Sequence, residues 1–201
     1  MSKLAADLAG LSRKLGLRRA AVLGYSQGGP IALHLVHDHP DLVGRLILAC
    51  GYAFNMATGR ERFEGWLMPW MFRIFGPRLI GQMSTVANVS GGRALTKEQA
   101  NWRAGLMAET PRRAAVPLSE GAMAFDGRPW LPEIDVPTLV VAGAEDRGVP
   151  PHHAAMLALG IPGARTVQVA GGGHFLICSH PEELVQIIES WFADTDDVAP
   201  L

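Results

Sequence analysis

Several features that mark other protein classes are scarce in this sequence of 201 residues. It contains no apolar run of the roughly 18 residues that a membrane span needs. Its 18 basic and 19 acidic residues nearly cancel, and Lys and Arg form no stripe, so neither nucleic acid nor an anionic membrane is an expected partner. The first residues are typical of neither a signal nor a transit peptide, and we expect a cytoplasmic protein.

Metal-binding and disulfide patterns are also sparse. The two cysteines, Cys50 and Cys178, form neither a disulfide framework nor a metal-ligand pair, and we expect both to be small buried apolar residues. His37 and His39 hint at a metal, but no cysteine or carboxylate set completes such a site. The sequence therefore predicts no metal and no organic cofactor.

Apolar sequence is plentiful, and it is arranged in alternating strands and helices. Hydrophobic residues make up 48% of the chain, enough for the core of one domain. Leu4, Leu8, Leu11 and Leu15 recur at the spacing of an amphipathic helix. Short buried strands are predicted at 20–23, 46–49, 138–142 and 166–169, with helices between them, for example at 152–159 and 181–192. This pattern indicates an α/β fold with a mostly parallel sheet covered by helices on both faces.

One long segment interrupts the alternation. Residues 52–129 contain no clean strand but carry a dense apolar cluster at 66–75. We predict a helical cap inserted between two parts of an α/β core, 1–51 and 130–194, with a tail at 195–201. The cluster either packs the cap onto the core or lines an apolar pocket for a substrate, and we expect the pocket. Gly91 and Gly92 indicate a turn, with a hinge as the alternative.

The segment Gly24-Tyr25-Ser26-Gln27-Gly28 lies between the first predicted strand and a helix. A serine on so tight a turn projects its hydroxyl away from the backbone but must adopt strained φ/ψ angles, and side chains two residues away on either side would collide. In a chain with 23 glycines a chance match to Gly-x-Ser-x-Gly arises roughly one time in ten, so the motif needs support from its context.

A serine nucleophile needs a base and an acid, and candidates for both follow later strands. His174, in the loop Gly171-Gly172-Gly173-His174-Phe175, comes after the fourth strand and is the candidate base; a buried structural histidine is the alternative. Glu145 and Asp146 come after the third strand, and only one of these adjacent side chains faces the histidine. Carboxyl ends of parallel strands are where such sheets place their sites. The set predicts acyl transfer, in which Ser26 attacks and His174 accepts and returns the proton.

Three segments, 24–29, 143–150 and 172–174, resemble the three catalytic motifs of the α/β-hydrolase family, and the segments 39–43 and 134–138 are similar to others in that family. The resemblance implies the α/β-hydrolase fold. It selects Asp146 over Glu145 as the acid and assigns the backbone N–H of Gln27 to the oxyanion hole.

The resemblance also implies a function: a serine hydrolase that cleaves carboxylic esters or related acyl bonds of a small, apolar substrate. Thioesterase, lactonase, carbon–carbon hydrolase and cofactor-free perhydrolase activities, and a non-catalytic binding or assembly module, remain alternatives. In the family the strand before the nucleophile is the fifth of eight, so this chain corresponds to the carboxyl-terminal two thirds, without the loop that supplies a second oxyanion donor. We expect strand 20–23 to be an edge strand through which the chain self-associates.

Overall fold

A parallel sheet of four strands forms the centre of the molecule, which a computed structural model describes for residues 1–86 and 92–196. The strands are β1 (Ala20–Tyr25), β2 (Val43–Ala49), β3 (Thr138–Gly143) and β4 (Arg165–Val169). They are ordered β1-β2-β3-β4, and each pairs in parallel with the next strand along the chain. The predicted α/β class and parallel sheet are confirmed.

Helices cover the sheet and fill the long segment between β2 and β3. They are α1 (Ser2–Lys14), α2 (Gly28–Asp38), α3 (Gly59–Val86), α4 (Lys97–Glu109), α5 (Arg112–Met123), α6 (His152–Gly160), α7 (Leu176–Ser179) and α8 (Pro181–Asp196). Short 3-10 helices lie at Pro40–Leu42 and Arg128–Glu133. None of these helices of the described chain has the length and apolar character needed to cross a membrane.

The core consists of two apolar clusters on opposite faces of the sheet. Side chains alternate along β2, so Leu46 and Leu48 join one cluster while Ile47 and Ala49 join the other. The first cluster is completed by α1, α2 and α6, and the second by α7 and α8. Because both faces of the sheet are covered, its central strands are continuously apolar, as predicted.

Helix α1 packs differently from the sequence pattern. Its leucines at helical spacing are exposed, whereas Ala5 and Ala9 are buried. The small side chains allow α1 to lie close against α2, and the leucine face is directed outward. The predicted helix is therefore present, and its buried face in the described chain is the one that carries Ala5 and Ala9.

Strand β1 lies at one end of the strand order, as the sequence predicted for 20–23. The burial of its residues alternates, and the Leu23 side chain is 45% exposed. The outer edge of β1 thus combines an exposed apolar side chain with backbone groups that are not paired to another described strand.

The segment between β2 and β3 contains helices α3, α4 and α5. Helix α3 is broken at Gly76, whose φ of 76° is not helical, immediately before Pro77. Trp66, in the predicted aromatic cluster, is 64% exposed. Gly92 lies in a bend with φ of 66°, while Gly91 and the tail 197–201 fall outside the described residues.

Candidate active site

Ser26 occupies a sharp turn between β1 and α2. It follows the last residue of β1 directly and has φ of 51°, in the left-handed region that non-glycine residues rarely adopt. Its N–H donates to the carbonyl of Ala49 at 2.9 Å, and its own carbonyl accepts from the N–H of Gly29 at 2.9 Å. These bonds hold the strained conformation that the motif predicted.

The two glycines of the motif are needed for different reasons. A Cβ at Gly24 would lie 2.7 Å from the carbonyl oxygen of Gly28 and 2.9 Å from the Cβ of Ala32, so a side chain there collides with the start of α2. A Cβ at Gly28 would meet nothing within 4 Å. The predicted collision is present at Gly24, and the prediction for Gly28 is wrong.

Ser26, His174 and Asp146 lie in one chain of hydrogen-bonding distances. Ser26 Oγ is 2.8 Å from His174 Nε2, and His174 Nδ1 is 2.9 Å from Asp146 Oδ2. The Asp146 side chain is fully buried, whereas the imidazole is 14% exposed. The three predicted residues, which lie far apart in sequence, are therefore brought together at the carboxyl ends of β1, β3 and β4.

Asp146 is the carboxylate that faces the histidine, and Glu145 is exposed to solvent. Asp146 Oδ1 accepts the backbone N–H groups of Gly148 and Val149, each at 2.8 Å. These bonds orient the carboxylate so that Oδ2 points at His174. Because an ionised carboxylate only accepts, Nδ1 carries the proton and Nε2 is left to accept from Ser26.

Close backbone contacts join the loop after β3 to the loop after β4. The N–H of Ala144 donates to the carbonyl of Val169, and the N–H of Glu145 donates to that of Gly172, both at 2.9 Å. A Cβ at Gly143 would lie 2.4 Å from the Gly172 oxygen. The absence of a side chain at 143 therefore lets the acid and histidine loops approach each other.

Tyr25 and Cys50 complete the surroundings of the site, and the sequence analysis missed both. The Tyr25 hydroxyl donates to the backbone carbonyl of His174, and Cys50 Sγ lies within 4.8 Å of an Asp146 oxygen and a His174 ring nitrogen. Burial raises the pKa of Tyr25, and burial together with the charge of Asp146 raises the pKa of Cys50 to about 12. Both groups are thus protonated at neutral pH. Cys50 directly follows β2. It could have been predicted from the sequence as a site residue, because the carboxyl ends of parallel strands meet at one edge of the sheet.

Gln27 adjoins the nucleophile at the start of α2. It is the N-cap of this helix, with φ of −61° and ψ of −17°. The first N–H groups of a helix have no acceptor within the helix, and that end carries a partial positive charge. The residue that the sequence assigned to the oxyanion hole therefore lies where the backbone favours a negative charge.

A cavity of about 470 Å³ lies between the Asp146 loop and the start of α3. Its walls combine apolar groups, including Met68 and Met123, with charged ones; the charged residues are Arg60, Glu61, Glu64, Asp146, Arg147 and His152. Among the described residues that line it, Met68 is the member of the 66–75 cluster. Trp66 and Trp70 line a separate open groove of about 400 Å³. The cavity is more polar than the sequence predicted.

Two groups of described residues bring metal-binding atoms within 4.8 Å of one another. One consists of Cys50, Asp146 and His174, whose carboxylate and imidazole are already engaged with each other and with Ser26. The other consists of Glu61, His152 and His153, beside the cavity. The sequence predicted no metal at either place.

Comparison with known proteins places this geometry in a family. The model of the alpha/beta hydrolase family matches residues 2–187. A Pseudomonas 2-hydroxy-6-oxononadienedioate/2-hydroxy-6-oxononatrienedioate hydrolase is 27% identical over 92% of this chain and 66% of its own length. A Caulobacter segnis protein provisionally named carbamate hydrolase RutD is 31% identical over 89% of this chain and 67% of its own length.

Solved structures agree on the fold. An esterase from Exiguobacterium antarcticum superimposes with a TM-score of 0.86 at 21% sequence identity, over 93% of this chain and 71% of that one. The chain therefore spans about two thirds of the length of the curated relatives given above, and a similar share of the solved structure.

Proposed function

The chain belongs to the alpha/beta hydrolase family, and on that premise we propose that it is a serine hydrolase that cleaves carboxylic esters or related acyl bonds. One observation carries the proposal. Ser26 Oγ is 2.8 Å from His174 Nε2, and His174 Nδ1 is 2.9 Å from the buried Asp146 carboxylate. A nucleophile, a base and an orienting acid in this order suit acyl transfer.

The reaction proceeds in two halves. Ser26 Oγ attacks the substrate carbonyl carbon while its proton passes to His174 Nε2, and the carbonyl oxygen becomes an oxyanion. His174 then gives the proton to the leaving alcohol, the ester C–O bond breaks, and the acyl group stays on Ser26. Water repeats the sequence, with His174 as base, and releases the acid. Asp146 keeps the proton of the neutral imidazole on Nδ1 and stabilises the imidazolium that forms.

The oxyanion is stabilised by the backbone N–H of Gln27 at the start of α2. Such sites generally use two or more donors, and removal of one costs about 100- to 1000-fold in rate. We expect the Gln27 N–H to serve as one such donor in both halves of the reaction.

A second candidate reaction follows from the charges in the cavity. Arg147 lines it beside Asp146 and supplies a guanidinium that can pair with a second, remote substrate carboxylate, whereas Arg60 is paired with Glu64. The Pseudomonas relative is named for hydrolysis of a dienedioate, a doubly carboxylated compound. Hydrolysis of a carbon–carbon bond in a dicarboxylate is therefore the alternative to ester hydrolysis.

A fluorophosphonate probe, which reacts with activated serines, tests the proposal. We expect labelling of the wild type and of Ser12→Ala, a control serine on α1, and none of Ser26→Ala or His174→Ala. Equal labelling of all four proteins would contradict the assignment. A folded wild type that is not labelled would instead support a non-catalytic binding module.

Substrate preference separates neutral from carboxylate-bearing substrates. p-Nitrophenyl esters of increasing acyl length, with neutral and carboxylate-terminated chains, give kcat/KM values for each class. A preference for neutral chains favours a general esterase. A preference for carboxylate-terminated chains that is lost in Arg147→Gln favours a dicarboxylate substrate.

A further inference from the structure

Three side chains outside the proposed catalytic set converge between α3 and α6. Glu61 lies in the first turn of α3, and His152 and His153 are the first two residues of α6. Glu61 Oε1 is 2.9 Å from His152 Nε2 and 3.0 Å from His153 Nε2. One carboxylate oxygen thus faces two imidazole nitrogens from another helix.

The cluster is built into the protein and is still accessible. His153 is fully buried, and the Glu61 side chain is 10% exposed. His152 is 42% exposed at its side chain, and both it and Glu61 line the cavity of about 470 Å³. The buried Glu61 and His153 side chains are therefore held in fixed positions, and the exposed His152 side chain makes the cluster accessible from solvent.

Glu61 is oriented before anything binds. Its Oε2 accepts the backbone N–H of Thr58 at 2.8 Å, and its own N–H donates to Thr58 Oγ1 at 3.2 Å. This capping box fixes the carboxylate at the start of α3 and directs Oε1 at the histidines. Carboxylates that bind metals are generally held in place by outer hydrogen bonds of this kind.

The three donors match a known class of metal site. Two imidazole nitrogens and one carboxylate oxygen, with a fourth position open, form a common zinc arrangement. Bonds of about 2.0–2.2 Å in a tetrahedral site put ligand atoms roughly 3.3 Å apart, so the observed spacings of 2.9 and 3.0 Å need only a small outward movement. Imidazole donors favour transition metals over Ca²⁺ or Mg²⁺.

We propose that Glu61, His152 and His153 bind one divalent transition-metal ion, of which Zn²⁺ is the probe, and that this ion ties α3 to α6 with an open position toward the cavity. In the metal-free protein each imidazole donates its Nε2–H to Glu61. On binding, the metal takes the Nε2 lone pair, and the ring proton moves to Nδ1 by exchange with water. The ion has no part in the acyl-transfer steps, so this site does not depend on the proposed function.

The surroundings set the affinity. Burial, followed by the nearby His152, lowers the pKa of His153, which favours the neutral imidazole that a metal binds. Against this, His153 Nδ1 is buried and has no hydrogen-bond partner among the described residues. Loss of such an outer partner costs about 10- to 100-fold in metal affinity. We therefore expect Zn²⁺ to bind about 10- to 100-fold more weakly than at a site in which every ligand has an outer partner.

Titration calorimetry on the whole, metal-free chain tests the site. We expect one Zn²⁺ per chain for the wild type, and affinity at least 30-fold weaker in His152→Ala and Glu61→Gln. His37→Ala, which removes a histidine on α2, is the matched control and should bind as the wild type does. His174→Ala should also bind normally, which separates this site from the Cys50, Asp146 and His174 group.

A thermal melt supplies a second readout. Zn²⁺ at about 100 times its dissociation constant should raise the Tm of the wild type by about 5–10 °C and leave that of His152→Ala unchanged. Glu61→Gln could fail to fold because its capping box is lost. In that case, Zn²⁺ binding and the Tm shift of His152→Ala, which changes an exposed side chain, decide whether the proposed site exists. Unchanged binding in His152→Ala, loss of binding in His174→Ala, or no binding by the folded wild type at millimolar Zn²⁺ would each overturn the proposal.

Discussion

Ser26 and Cys50 have the same unusual backbone conformation on neighbouring strands. Their φ angles are 51° and 47°, and each residue directly follows its strand, β1 or β2. A non-glycine residue in this region costs about 1–2 kcal/mol. Two of the three described non-glycine residues with a positive φ therefore lie at the edge of the sheet where His174 and Asp146 also lie, as is common at functional sites; the third, Arg19, lies just before β1.

Removing the side chain of Ser26 should relieve this strain. We expect Ser26→Gly to exceed Ser26→Ala by about 1 kcal/mol in the free energy of unfolding, because glycine adopts a positive φ without a Cβ clash. Urea denaturation of the two variants measures the difference. Equal stabilities would show that the turn is not strained at this residue.

The two motif glycines should respond oppositely to alanine. Gly24→Ala places a Cβ 2.7 Å from the Gly28 oxygen, and we expect it to lower the free energy of unfolding by about 1–3 kcal/mol. Gly28→Ala meets nothing within 4 Å in the first turn of α2, and we expect no loss, or a gain of up to about 1 kcal/mol. Urea melts of both variants test the pair, and a similar loss in both would contradict the geometry.

The prediction from sequence succeeded where short-range patterns determine the structure. Strands such as 138–142 were recognisable because continuous apolar runs fit only the interior of a covered sheet. Ser26, His174 and a carboxylate at 145 or 146 could be proposed because parallel strands end at a common edge, and the family resemblance selected Asp146. Steric clashes at the turn could not be predicted from the sequence in this way. Whether position 28 must be glycine depends on which atoms surround it in the folded chain.

The two thiols should differ in reactivity. Burial and the charge of Asp146 raise the pKa of Cys50 to about 12, so the thiolate is scarce at pH 8. Burial also raises the pKa of Cys178, but this side chain is partly exposed rather than fully buried as the sequence predicted. We expect a disulfide reagent at pH 8 to modify one thiol per folded chain, and both after unfolding.

Serine substitutions identify the reactive thiol. Cys178→Ser should abolish labelling of the folded protein, and Cys50→Ser should leave it unchanged. Rapid modification of Cys50 in the folded chain would mean that the space beneath Asp146 is open to reagents.

Adjacent carboxylates provide a matched test of the acid. Asp146→Asn can still contact His174 but stabilises the wrong tautomer, and we expect fluorophosphonate labelling of Ser26 to slow by about 10⁴-fold, as in serine proteases. Glu145→Gln, at an exposed position, should change the rate less than threefold by the same reasoning. Comparable losses of labelling rate in both variants would mean that a disturbed loop conformation, and not loss of the Asp146 carboxylate, slows the reaction of Ser26.

The edge strand predicts association between chains. Leu23 is 45% exposed on β1, and we expect the chain to dimerise with rising concentration through this edge. Leu23→Lys should shift the mass measured by light scattering toward the monomer. Leu159→Lys, at a position that is 89% exposed on α6, is the control and should not. Unchanged association in Leu23→Lys would exclude the edge.

The Glu61, His152 and His153 cluster shows where sequence reasoning ended. The pattern Thr58-x-x-Glu61 indicates a capping box, and the histidine pair at the start of α6 was visible. Nothing in either pattern says that α3 and α6 begin side by side, because 90 residues separate Glu61 from His152, and that meeting is a property of the folded protein. Long-range convergence of this kind is set by packing.

The order of strands in the sheet has a consequence for how the chain matures. Each strand pairs with the next one along the chain, so the sheet can grow from β1 to β4 as the polypeptide leaves the ribosome. Of the four described strands, Ser26 follows the one synthesised first and His174, 148 residues later, follows the one synthesised last. In the mechanism proposed above, the Ser26 hydroxyl is an ordinary, unactivated serine until β4 docks, so nucleophilic reactivity would report that β4 and the His174 loop are in place.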